Sequence, residues 1–108
     1  MKDILIKCKC PKLRKIIDDL KFFYDEINDE DLKSILYQYI FVKGSEFLPS
    51  IASEVETFNL LFDAYNDEKT SEPLKEKINQ ILKEKINHIE YLCNHTISIT
   101  KTLKTNNV

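Results

Sequence analysis

The sequence predicts an all-α fold, an antiparallel four-helix bundle, and three observations carry that expectation. Apolar side chains recur at i, i+3, i+4 and i+7 through four separate segments, the spacing that gathers them on one side of a helix. The 108 residues include one Gly and three Pro, too few for the many tight turns of a sandwich or barrel of short strands. The connections between the segments are short, which favours antiparallel neighbours. The chain is long enough for one hydrophobic core, so residues 1–108 are expected to form a single domain. With 43% hydrophobic and 31% charged residues it has ordinary globular usage and folds without help from disulfides or metals.

Helix one is expected over about 12–27, from the stripe Leu13, Ile16, Ile17, Leu20, Phe23, Tyr24 and Ile27. Asn28 or Asp29 can cap the second helix, and Asp29, Glu30 and Asp31 suit its positive N-terminal end. Leu32, Ile35, Leu36, Tyr39, Ile40 and Val42 are read as its buried face, and Lys43 followed by Gly44 as its stop, giving about 29–43. Ile51, Ala52, Val55, Phe58, Phe62 and Tyr65 carry the third helix, with Pro49 expected in its first turn and Phe47 and Leu48 packing ahead of it. After a polar loop at 66–71, Ser71 caps a fourth helix on Leu74, Ile78, Ile81, Leu82, Ile86, Ile89 and Leu92, with Pro73 tolerated near its start.

The two ends admit two readings. Ile4, Ile6, Cys8 and Cys10 alternate with other residues, as do Cys93, His95, Ile97 and Ile99, and a period of two is that of a strand. Paired antiparallel, residues 3–10 and 93–100 would make a short terminal β-ribbon with all eight side chains on one face. The other reading continues helix four to about residue 103. Residues 104–108 are expected to fray.

The net charge of −2 is unevenly distributed. Residues 1–15 carry six basic groups against Asp3, residues 16–72 carry fourteen acidic against four basic, and the remainder carries six basic against three acidic. An acidic body between basic ends suits docking on a protein surface or self-association in a homo-oligomer; wrapping nucleic acid would need several phosphates neutralised together. Solvated helix faces account for the same pattern without any partner. No apolar run approaches the roughly 18 residues of a membrane span, and the first seven residues are too short and too charged for the core of a secretion signal. A cytoplasmic protein with reduced thiols is the expectation, since three cysteines are an odd and sparse set.

Cys8, Cys10, Cys93 and His95 could supply a Cys3His set for structural zinc if the ribbon closed. Their paired spacing is tighter than the two or more intervening residues of usual zinc knuckles. His88 and His95 lie two turns apart on a helix, about 10 Å, too far to grip one ion. Glu84 is the one carboxylate along the helix that could orient His88 for catalysis. Tyr24, Tyr37, Tyr39, Tyr65 and Tyr91 fall mostly on core stripes amid acidic charge, which disfavours base stacking. Phosphate-binding loops, dinucleotide glycines, His-Glu-x-x-His and nucleophile elbows do not occur, so enzymatic activity is not expected.

The stretch Asp31 to Ser45 resembles the second-helix signature of histidine phosphotransfer (HPt) domains, which carry His-x-hydrophobic-Lys-Gly. Val42, Lys43 and Gly44 match its last three positions, while Ile40 stands where the phosphoacceptor His would be. An isoleucine has no nucleophilic nitrogen, so the resemblance implies a degenerate HPt-like domain that docks a receiver or kinase without carrying phosphate. A hydrophobic residue, Lys and Gly at a helix end is also what C-capping selects. The residues therefore point to a non-enzymatic protein-binding module, an adaptor, inhibitor or immunity-type factor, with Tyr37, Phe41, Lys43 and Ser45 as its candidate surface. A Cys3His zinc domain is the alternative.

Overall fold

The computed structural model describes residues 8–42 and 50–106, with side chains described through 103. Among them are four helices, α1 (Pro11–Glu26), α2 (Glu30–Phe41), α3 (Ile51–Tyr65) and α4 (Glu72–Asn106), and no strand. The all-α bundle expected from the apolar spacing is thus the architecture found. The helices are unequal: α4 has 35 residues and the others 12 to 16. At about 1.5 Å per residue α4 is about 50 Å long. It sets the long axis of a molecule measuring 56 × 25 × 19 Å.

Helix α4 is the spine of the bundle, packing against α1, α2 and α3, while α2 also packs against α3. Its inward residues, Ile78, Leu82, Ile89, Leu92, Cys93, Thr96 and Thr100, fall on one side of the helix and are all buried. Opposite them lie Leu13, Ile17, Leu20 and Tyr24 of α1, Leu32, Leu36 and Ile40 of α2, and Ile51, Val55 and Phe58 of α3. The turn at 66–71 folds α3 back antiparallel on α4, and Lys85 reaches Glu54 at 3.3 Å across the pair. Lys9, just ahead of α1, bonds Asn59 and Asp63 near the far end of α3. The other end of α1 lies by the far part of α4, where Lys101 Nζ sits 5.9 Å from the Phe23 ring. Helix α1 therefore runs in the same direction as α4, a connectivity that short loops alone did not reveal.

Local chemistry sets the helix ends. Asp29 caps α2 by accepting from the backbone N–H groups of Asp31 and Leu32 at 2.9 and 3.3 Å. Ser50 caps α3 through its hydroxyl, which accepts from Ser53 N–H at 3.1 Å. Ile51 is consequently the first helical residue, and Pro49, expected in the first turn, lies outside the described residues. Helix α2 stops at Phe41, because Val42 has extended backbone, two residues before the Lys43-Gly44 stop read from the sequence. Pro11 opens α1 and Cys10 precedes it without a side-chain cap bond.

The terminal ribbon is not formed, because residues 93–100 belong to α4. Its N-terminal half falls mostly on residues 1–7, outside the described residues. The alternation in Thr96-Ile97-Ser98-Ile99-Thr100 is overridden by packing: the helix turns Thr96 and Thr100 inward, where a strand would have selected Cys93, His95, Ile97 and Ile99. Buried Thr100 donates its hydroxyl to the Thr96 carbonyl at 2.9 Å and Thr102 does the same to Ser98 at 3.0 Å, so the β-branched run satisfies its own polar groups within the helix. The helix continues through Asn106, beyond the point at which the tail was expected to fray.

Candidate functional site

Between Leu32 and Val42 only Lys33, Ser34 and Gln38 are polar, so α2 is apolar on nearly every side. A helix in that condition carries more apolar surface than contact on one side can cover. Leu32, Leu36 and Ile40 take the inward positions against α3 and α4. Ile35, Tyr39 and Val42, spaced i, i+4 and i+7, form a second stripe beside the first, and it stays 38%, 44% and 53% exposed. This corrects the reading that put these three in the core.

The reverse holds for the aromatics expected on the surface. Tyr37 and Phe41 are half-buried, packed against the core with ring centroids 4.6 Å apart. They are packing residues first, and their availability as anchors is correspondingly reduced. Lys43 and Ser45 lie outside the described residues. Ile40 is fully buried.

The exposed stripe begins beside an acidic rim. Asp25, Glu26, Asp29, Glu30 and Asp31 are all exposed, with no basic residue among positions 25–31. Glu30 and Asp31 lie in the first turn of α2, where the helix dipole favours negative charge. Lys33, the next cation, is turned onto the Tyr24 ring at 4.8 Å. The face thus offers an aromatic with a polar tip, two aliphatic neighbours and a negative border.

The cysteines and histidines do not converge. Cys8 and Cys93 are buried and Cys10 is partly buried, all with free thiols, while His95 is exposed on the side of α4 away from Cys93. Two residues along a helix is a rotation of about 200°, which separates the two side chains. Among the described residues no three His, Cys, Asp or Glu side chains stand where they could hold a metal ion, so the Cys3His set is not assembled in this fold. Burial pushes the Cys8 thiol up, and burial together with the charge of Glu90 pushes Cys93 up to about 12. Both stay protonated at neutral pH, which suits packing and not nucleophilic or ligand chemistry. His95 stacks on exposed Tyr91 at 5.8 Å, and His88 is exposed.

The signal that could have found Ile35, Tyr39 and Val42 was the missing polar side of α2. No protein-family model matches the chain, and neither any curated protein nor any solved structure matches it.

Proposed function

We propose that this protein is a non-enzymatic binding module, an adaptor, inhibitor or immunity-type regulatory factor, that docks another protein on the outward side of α2. One observation carries the reading: an apolar stripe at helical spacing, Ile35, Tyr39 and Val42, that the bundle leaves uncovered. Tyrosine at the centre of such a stripe is a frequent anchor of protein interfaces, since it supplies large contact area with few rotatable bonds. The acidic border from Asp25 to Asp31 favours a partner whose contacting surface is basic.

The test is site-specific photocrosslinking in the native host. A photoreactive residue at Tyr39 is expected to trap a discrete partner, and one at Glu56, on the exposed side of α3, is not. Ile35→Asp and Tyr39→Ser should each abolish the crosslinked species while leaving helical circular dichroism unchanged. Capture unaffected by either substitution would remove α2 from the interface.

A further inference from the structure

Helix α1 is charged against its own dipole. Its first turn has no acidic residue and its last turn no basic one. The basic groups Lys12, Arg14 and Lys15 stand near its start, where the dipole is positive, and Asp25 and Glu26 stand near its end, where it is negative. Among the described residues neither set forms an ion pair. Among the described residues the ion pairs are Lys9–Asp63 and Lys85–Glu54, and neither involves a residue of α1. The cation Arg14 bonds a neutral group, its Nε donating to the Cys8 carbonyl at 3.1 Å. On the same outward side, opposite the buried stripe of Leu13, Ile17, Leu20 and Tyr24, Phe22 is 69% exposed.

We infer that the outward face of α1 is an interface with a second copy of this chain, two α1 helices lying antiparallel across a two-fold axis. The occupant follows from charge complementarity. Antiparallel placement sets Lys12, Arg14 and Lys15 of one copy beside Asp25 and Glu26 of the other, and symmetry repeats the match at the opposite end. Nearer the axis Lys21 faces Asp18 of the second copy, and each Phe22 finds apolar cover. Each dipole end then meets a helix end of opposite sign, which relieves the misplacement of both charge sets together. A parallel arrangement would put like charges side by side, so the pattern selects the orientation. The contact is one helix wide and rimmed by exposed charge, so the dimer is weak and sensitive to salt. It shares Asp25 and Glu26 with the acidic border of the α2 docking surface but not the stripe Ile35, Tyr39 and Val42, and it does not depend on that reading.

Sedimentation velocity over a concentration series, at low and at high salt, tests the proposal. The protein is expected to dimerise at low salt and dissociate as salt is raised. Lys12→Glu with Lys15→Glu, or Asp25→Lys with Glu26→Lys, should each weaken the homodimer about tenfold or more through like-charge contacts. An equimolar mixture of the two double variants should recover dimers, now as heterodimers. Folding is not at risk in these variants, because each aligns the charges of α1 with its dipole; helical circular dichroism checks it. A monomer at every concentration in low salt would overturn the proposal, as would a dimer indifferent to both variants or a mixture that fails to recover. Tyr39→Ser should leave the dimer intact, and its loss there would move the interface to α2.

Discussion

Helices α1 and α2 follow one another with only residues 27–29 between them, yet they relate to the core in opposite ways. In α1 a single apolar stripe alternates with charged residues, and the stripe is what the fold buries: Leu13, Ile17, Leu20 and Tyr24 are at most 4% exposed. In α2 apolar residues surround the axis, and the fold buries one stripe while leaving another of equal character in solvent. Where a polar side exists, the orientation of a helix is decided before it packs. Where none exists, the neighbours decide, and the surplus surface stays exposed.

The comparison breaks first in the core. Leu20→Ala and Leu36→Ala, at fully buried positions on α1 and α2, should each lower stability by about 2–5 kcal/mol in chemical denaturation. Their outward counterparts Phe22→Ala and Tyr39→Ser should stay within about 0.5 kcal/mol, since neither opens a cavity. A large loss at Tyr39 would mean that the second stripe of α2 is core after all.

A second effect acts through the spine shared by both helices. The Cys93 thiol is raised from 9.0 to about 12 by burial and then by Glu90. The unfolded chain therefore loses this proton at lower pH than the folded one, and the stabilisation it contributes is complete below about pH 9 and lost as pH rises toward about 12. Stability should fall across that window, and Cys93→Ala, though less stable at neutral pH, should fall less steeply. A smaller effect distinguishes the helix starts. Asp29→Ala removes the cap of α2 and should cost about 1 kcal/mol, whereas α1, with no side-chain cap, has no equivalent to lose. Smallest of all, Asp63→Asn breaks the Lys9 pair, whose side chains are 57% and 53% exposed, and should change the unfolding midpoint by less than about 1 kcal/mol in free energy.

Most of the helix positions were legible because capping and spacing are local. Of the two cap candidates, Asn28 and Asp29, it is Asp29 that accepts from two backbone groups, and the stripe of α1 is buried at Leu13, Ile17, Leu20, Tyr24 and Ile27 and partly buried at Ile16 and Phe23. Ile81 and Leu74 show the limit: they fit the period of α4 but lie at the edge of its buried face, 41% and 49% exposed, because three shorter helices do not cover all of the longer one. The ends of the chain were ambiguous for a related reason. Alternating Thr and Ile satisfy a strand and a helix about equally in isolation, and only packing against other helices, α1 at Phe23 among them, favoured the helix.

By itself the amino-acid order determined that four helices form, that α2 starts from a capping residue at 28–29 and that α1 turns its charges outward, since each of these depends on residues within a turn or two of one another. Tertiary structure alone decided which side of α2 is buried, that residues 93–100 are helical and that Cys8, Cys10, Cys93 and His95 do not meet. Those outcomes depend on surfaces brought together from distant parts of the chain, and burial of apolar area is indifferent to the order in which its contributors are strung.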